Sequence, residues 1–328
     1  MSRAAAVLRT VGATFPSATI SILVFVSLGV LVALAIADQS PHLIFSRKIG
    51  VDWKPEDTEW MNFVAISSDG SMVAGNGNVQ RGKPKTLSST GSNPELGLWT
   101  FPAGDFVRNI AGAPLAISAD FRFLATETTI VDLQTGKSVF QIALQSRMID
   151  SASFSPTGDY VAIAGGTPIG KAKRAQIVVR KSVDGQFVSK FCTRYTKSLA
   201  FHPDGRTLAS GHWNNVTLWN AETGRKLALL VGAQRTPDAD GYQRDGRYMC
   251  GIGFSHDGKM LAAGSDDGEL QLWDVEARKL IRSMKIGWLD VSNPVFSPDG
   301  KLVAAGTYGD GTVSLRHLQE HAQRYCTG

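Results

Sequence analysis

Two patterns of apolar and polar positions divide the 328-residue chain. Between Arg9 and Asp38 there is no charged residue, and residues 18–37 read ATISILVFVSLGVLVALAIA. As a helix rising about 1.5 Å per residue this run would cover roughly 30 Å, the hydrocarbon thickness of a bilayer. After residue 41 the pattern changes to short apolar runs that end in Ser-x-Asp-Gly or a variant of it. These are FVAISSDG to Gly70, LAISAD to Asp120, ASFSPTG to Gly158, LAFHPDG to Gly205, IGFSHDG to Gly258 and PVFSPDG to Gly300. A second apolar run follows each, then a third such as ELGLWTF, NVTLWNA or ELQLWDV, and usually a fourth such as KLALLV. Short strands separated by Asp-Gly turns at a period of about 40–50 residues predict an all-β propeller in which each four-stranded unit is one blade. The six units predict six blades; a seventh, assembled from the N-terminal run and the C-terminal tail, is the alternative.

The uncharged run predicts one N-terminal transmembrane helix. Arg3 and Arg9 precede it and Asp38 follows it, so the positive-inside rule puts the N-terminus in the cytoplasm and the propeller on the extracytoplasmic side, periplasmic or extracellular. The expected organisation is a short tail over 1–17, a signal anchor over 18–37 and a propeller over 42–328. Ala33-Leu34-Ala35 and Ala35-Ile36-Ala37 also fit a signal-peptidase site, but the run exceeds the usual signal-peptide core, which favours an uncleaved anchor.

The repeated units resemble the WD40 repeat family. The resemblance is carried by MLAAGSDDGELQLWDVEARKLI, with Trp273-Asp274, and by TLASGHWNNVTLWNAETGRKLALL, with Trp219-Asn220. Trp99, Trp219, Asp267, Trp273 and Asp274 stand at the family's structural positions. The third strands near Val131, Val179 and Leu315 lack the Trp, and no unit opens with Gly-His, so the family's buried His–Asp–Ser–Trp network is expected to be largely absent and blade rigidity to come from apolar packing. The family implies a non-enzymatic scaffold that binds protein partners. It also implies a ring closed by joining the chain's ends. Residues 43–50 (LIFSRKIG) repeat residues 280–287 (LIRSMKIG), so they are expected to supply the outer strand of the last blade.

Composition narrows the rest. With 43% hydrophobic and 19% charged residues the chain is neither disordered nor collagen-like. Cys192, Cys250 and Cys326 are too few and too scattered for a zinc site or a disulfide framework, and their spacing does not select a pair. Asp238, Asp240 and Asp245 flank glycines but lack the terminal Glu of a calcium loop and read as a solvated turn. No metal or cofactor is expected. No catalytic motif appears, and His202 and His256 read as turn residues.

The long loops over 76–94, 165–175 and 231–249 fall on one face of the expected ring. They carry Arg81, Lys83 and Lys85 in the first, Lys171, Lys173 and Arg174 in the second, and Arg235, Arg244 and Arg247 in the third. Trp53, Trp60, Trp213, Trp288 and Tyr242 are assigned to the same side. This face is the expected binding surface, suited to an acidic protein, an anionic glycan or lipid head groups, with ordinary solvated loop charge as the bland alternative. Nucleic acid is not an expected partner of an exported domain. The second functional reading is a periplasmic propeller enzyme or small-ligand binder at the channel mouth, where Asp150, Lys197, Asn62 and Asn293 would stand.

Overall fold

The computed structural model describes residues 21–27, 30–37, 40–48, 58–80, 95–100, 105–142, 144, 149–167, 174–233, 248–307 and 313–318. They form an all-β six-bladed propeller. Blade one holds β4 (Thr58–Ile66), β5 (Met72–Gln80), β6 (Glu95–Thr100) and β7 (Phe106–Ala111). Blade two holds β8 (Pro114–Ile117), β9 (Phe123–Thr126), β10 (Thr129–Asp132) and β11 (Ser138–Gln141). Blade three follows with β12 (Ile149–Phe154), β13 (Tyr160–Thr167), β14 (Arg174–Lys181) and β15 (Phe187–Arg194), and blade four with β16 (Ser198–Phe201), β17 (Thr207–Gly211), β18 (Asn215–Asn220) and β19 (Lys226–Val231). Blade five holds β20 (Met249–Phe254), β21 (Met260–Ser265), β22 (Glu269–Asp274) and β23 (Lys279–Lys285); blade six holds β24 (Val291–Phe296), β25 (Leu302–Thr307) and β26 (Val313–His317). Every sheet is an antiparallel meander in chain order, and the first strands of successive blades lie beside one another around the axis.

Burial explains the composition of each strand. Second and third strands are buried along most of their length, as in Thr207–Gly211 (TLASG) and Glu269–Asp274 (ELQLWD). Fourth strands alternate between buried and exposed positions, as Lys226–Val231 does, because one of their faces meets water. Each of the five seams between successive blades has its own apolar cluster. Ile177, Val179 and Phe191 of blade three, for example, pack on Leu199, Phe201 and Trp219 of blade four. Equivalent clusters fill the seams between blades one and two, two and three, four and five, and five and six.

The Ser-x-Asp-Gly turn is a hydrogen-bonded clamp. In blades one, two, five and six the serine hydroxyl (Ser67, Ser118, Ser255, Ser297) donates to the aspartate two residues on (Asp69, Asp120, Asp257, Asp299) at 2.5–2.7 Å. The same oxygen accepts the amide that opens the second strand, at 2.8–2.9 Å. Glycine closes the turn in the left-handed region, with φ of 69° at Gly70 and 67° at Gly300. Blade two has no glycine there. Phe121 takes the conformation instead, at φ 55°, and its buried ring fills the seam to blade one, which offsets the strain.

Three expectations change. The helix over 18–37 does not appear. In its place β1 (Ser21–Ser27), β2 (Val30–Ala37) and β3 (Ser40–Lys48) form a three-stranded sheet, with β1 alongside β4. Among the described residues no helix is long and apolar enough to cross a membrane. The run is dense in β-branched residues, among them Ile22, Val24, Val26, Val30, Val32 and Ile36, which suit a strand as well as their apolarity suits a lipid-facing helix. The closure also differs. Residues 40–48 pair with β2 and not with β26, so blade six has three strands among the described residues.

The polar network is present in blade four. Trp219 Nε1 donates to Ser210 Oγ at 2.7 Å, Ser210 Oγ lies 2.9 Å from His212 Nε2, and His212 Nδ1 lies 3.2 Å from Thr196 Oγ1. The histidine belongs to the Gly211-His212 pair at the end of β17 and not to one that opens a unit, and a threonine stands where an aspartate was expected. Trp273 behaves differently: its Nε1 donates across the seam to the Val231 carbonyl at 3.1 Å.

The clamps set an acid limit on stability. The Ser67 hydroxyl first, and then the Ser71 amide and hydroxyl, hold the Asp69 carboxyl down to about 2. Asp257 and Asp299 are lowered by their serine hydroxyls and then by the Lys259 and Lys301 amides. A carboxyl whose folded value lies below its unfolded value, near 4, stabilises the fold fully above the unfolded value and loses that effect as pH falls through the folded one. Thermal midpoints should therefore hold steady down to about pH 4 and fall towards pH 2. The D257N/D299N double variant should start lower and show a flatter acid limb, measured by circular dichroism.

Candidate functional site

The face carrying the fourth-to-first and second-to-third connections gathers the chemistry. Arg81, Lys83, Lys85, Lys171, Lys173, Trp53, Arg235, Tyr242, Arg244, Arg247 and the acidic turn at 238–245 lie outside the described residues. Trp60 and Asn62 are on β4 and Arg174 opens β14, where its backbone pairs with Thr167 and Arg194. Trp99, Trp219 and Trp273 are buried. Asp267 accepts the Ser265 hydroxyl at 2.6 Å, and Asp274 accepts the Ala277 amide at 2.7 Å.

Trp213 and Trp288 reach the surface in different ways. Trp213 sits on the turn between β17 and β18 and bridges to Tyr248 by backbone pairing, the two rings meeting edge to face at 5.5 Å. Trp288 is 85% exposed and Leu289 beside it 46% exposed. Their loop is fixed from below, since the Ile286 and Gly287 amides both donate to the Gly268 carbonyl on the neighbouring turn, at 2.9 and 3.1 Å. A side chain at Gly268 would strike the Gly287 carbonyl, so the close approach requires a glycine.

Between these tryptophans lies an aromatic and charged cluster at the starts of successive inner strands. Tyr195 donates to Asp150 Oδ1 at 3.2 Å, and its ring meets Tyr248 edge to face at 5.8 Å. Lys197 Nζ stands over the Tyr248 ring, 5.1 Å from its centre. The Tyr248 amide donates to Asp266 Oδ1 at 3.1 Å and the Asp266 amide returns a bond to the Tyr248 carbonyl at 3.0 Å. The structure thus brings together Asp150 and Lys197 of the expected channel-mouth set, places exposed Asn293 on β24, and adds Tyr195, Tyr248, Asp266 and Asp290.

Electrostatics mark the cluster as crowded with negative charge. Burial raises the Asp266 carboxyl, and Asp267 and Asp290 add to the rise, against the Tyr248 amide and Lys197. Burial pushes the Cys250 thiol up to about 12; Lys197 opposes the rise and Asp290 and Asp266 reinforce it. Tyr195 is pushed up to about 12 by burial and by Asp150. Among the described residues no group of three or more His, Cys, Asp or Glu could hold a metal ion.

The opposite face is built of clamps. His202 does more there than fill a turn: its Nδ1 accepts the Asp204 amide at 3.0 Å while Nε2 donates to the Gly258 carbonyl of the next blade at 3.1 Å. A cavity of about 240 Å³ between blades two and three mixes Asp120 and Asp159 with Arg122 and Lys181.

Comparison with known proteins agrees with this architecture. The family model described as "WD domain, G-beta repeat" matches residues 185–220, 244–274 and 282–316. The first match runs from the outer strand of blade three through the third strand of blade four, and the last likewise joins blades five and six. Telomerase protein component 1 of Mus musculus is 29% identical over 43% of this chain and 5% of its own length. Periodic tryptophan protein 2 homolog of Schizosaccharomyces pombe is 27% identical over 38% and 13%, and WD repeat-containing protein VIP3 of Arabidopsis thaliana 29% identical over 33% and 35%. The chain therefore spans a small part of the first two relatives and about a third of the other. Fold and matches together show a β-propeller with WD-type repeats over those three segments.

Thiol chemistry tests the cluster's geometry. At pH 8 a thiol with a value of about 12 is ionised in roughly one molecule in ten thousand. In a Cys326→Ser chain, one exposed thiol, Cys192, should react promptly with a disulfide reagent. Cys250 should stay unmodified until denaturant is added. Mass spectrometry of labelled peptides distinguishes the two.

Proposed function

We propose that the chain is a non-enzymatic scaffold that binds a protein partner through the loop face, with Trp288 and Leu289 as the apolar anchor. The observation that carries this reading is the pair's exposure on a loop whose backbone is tied to the adjacent turn. Single exposed apolar residues are ordinary, but a Trp and a Leu side by side at a pinned loop tip form an anchor that is already ordered before binding. Trp is enriched among residues that dominate contact energies, and a polar rim around it supplies steering. Tagged, cross-linked full-length chain should capture a partner that Trp288→Ala loses. The expected cost is about 2 kcal/mol or more, roughly a 30-fold loss of affinity in titration of the recovered partner. Undiminished capture by the variant would remove Trp288 from the contact.

We propose further that residues 18–37, which include strands β1 and β2 in the structure of the chain alone, become a helix in a bilayer and hold the propeller at a membrane, on its extracytoplasmic side. The uncharged length of the run and the positions of Arg3, Arg9 and Asp38 support this. The protein should stay with membranes through alkaline carbonate, leave them in detergent, and be digested by protease added to spheroplasts or intact cells. Recovery of a mature chain beginning at Asp38 would replace the anchor with a cleaved signal. A chain protected from external protease would reverse the topology.

A further inference from the structure

We infer that the outer strand of blade four is a self-association edge, at which a second copy of the chain adds its own β19 antiparallel about a two-fold axis through Leu229. This surface lies on the rim of the ring, apart from the loop face, and the inference does not depend on the scaffold reading.

The side chains of β19 fall into two sets. Ala228 and Leu230 are buried in the seam with blade five, whereas Leu227, Leu229 and Val231 are 41, 43 and 57% exposed. Exposed apolar residues are ordinary singly. Three in alternation on an outer strand are what sheets normally avoid, because polar or charged side chains there stop another strand from adding. Other outer strands carry that protection. At the place equivalent to Leu229, fixed by the pairing of each outer strand with its third strand, blade one has Asn109, blade three Lys190 and blade five Ser283.

The backbone of β19 is arranged to match. The Gly232 amide donates to the Asn214 carbonyl at 2.8 Å, and from there the ladder to β18 sets Leu230 against Val216 and Ala228 against Leu218. Bonded and non-bonded pairs alternate along an antiparallel ladder, so Leu227, Leu229 and Val231 turn their amides and carbonyls to the outer edge. Of these groups the Val231 carbonyl already accepts the Trp273 indole at 3.1 Å. The others have the spacing of a further ladder. In a pair centred on Leu229, that residue exchanges both bonds with its own copy, and each Val231 amide donates to the other chain's Leu227 carbonyl.

Self-complementarity of the side chains identifies the occupant as a second copy. The two-fold sets Leu227 across from Val231, so the exposed residues of both chains merge into one apolar band. It sets Lys226 across from Gly232 and Arg225 across from Ala233, so no like charges are opposed. Applied to blade three, the same operation puts Lys190 against itself; applied to blade five, it puts Ile281 against Lys285. An interface of this kind closes on itself and stops at two chains. A strand of six residues a side buries less than the roughly 1,600 Å² of a standard interface, so the pair should form and separate with concentration.

Sedimentation equilibrium of the full-length chain in density-matched detergent should show a mass that rises with concentration from one chain to two and no further. Leu229→Lys sets two ammonium groups against each other and should hold the mass at one chain over the same range. Ile281→Lys, on the outer strand of blade five, should associate as the unaltered chain does. In a C192S/C326S background a short bis-maleimide should link Leu229→Cys into a two-chain product, since opposed Cα atoms of a bonded pair lie about 5.5 Å apart, and should not link Ile281→Cys. Trp288→Ala should leave association intact, which separates this edge from the contact proposed on the loop face. A constant one-chain mass, association unchanged by Leu229→Lys or lost equally with Ile281→Lys, growth beyond two chains, or absence of the Leu229→Cys product would each overturn the inference. Capture of a different protein that Leu229→Lys loses, while the mass stays at one chain, would also overturn it and give the edge to that protein. If Leu229→Lys melts early by circular dichroism, the cross-linking comparison decides.

Discussion

Everything in this propeller depends on sheets packing face to face across the seams. A lone four-stranded meander of these sequences would expose apolar side chains on both faces of its second and third strands, and it has no independent means of covering them. Stacking covers both. Ile130 and Val161 meet between blades two and three, and Leu230 and Trp273 between blades four and five. The seam also sets the permitted size of side chains. At Gly253 a Cβ would land on the Pro294 carbonyl, so the inner strands of blades five and six touch backbone to backbone and that position must be bare. A rigid ring follows, and rigidity is what allows widely separated residues to hold a common geometry on its face.

Polar groups settle what packing leaves open. Apolar contact fixes which faces meet but is indifferent to small slips, whereas the serine clamps and cross-seam bonds are directional. His202 joins two blades at the clamp face, and Trp273 joins two at the third strand. Blade four has the most elaborate arrangement, with Trp219, Ser210, His212 and Thr196 in one chain of hydrogen bonds. Removing one member there would leave buried donors or acceptors without their partners, at a cost of about 1–3 kcal/mol each.

The blade plan was legible because it rests on local chemistry repeated six times: turn residues at fixed offsets and short apolar runs between them. The N-terminal run was not, since length and lack of charge argue for a bilayer helix while Ile22, Val24, Val32 and their neighbours equally suit the strands found. The likeness of residues 43–50 to residues 280–287 identified a strand correctly but not its neighbour, because two segments of similar pattern can pair with different edges. The network around His212 escaped because its Gly211-His212 pair follows Ser210 at the end of a second strand and does not open a unit. The channel-mouth cluster has no motif at all. Its residues are scattered from Asp150 to Asp290, and only when the units are aligned do Asp150, Lys197, Cys250 and Asp290 fall at or beside the start of an inner strand. Asp150 and Lys197 were found that way, whereas Tyr195, Tyr248 and Asp266 depend on how the connections fold over them.

The two faces are under unequal constraint, and this locates recognition. On the clamp face nearly every blade spends its turn on the same task, with Ser and Asp tied to the strand they open, so little is left to face a partner. On the other face no two connections are alike. Around blade five they are fixed by backbone hydrogen bonds, Asp266 by the Tyr248 amide and the segment before Trp288 by the Gly268 carbonyl. Such residues can differ from blade to blade without disturbing a seam, because the seam packing lies below them. A surface that is both free to vary and rigidly held can specialise for one partner, and in this chain it is the side bearing Trp288, Tyr248 and Lys197.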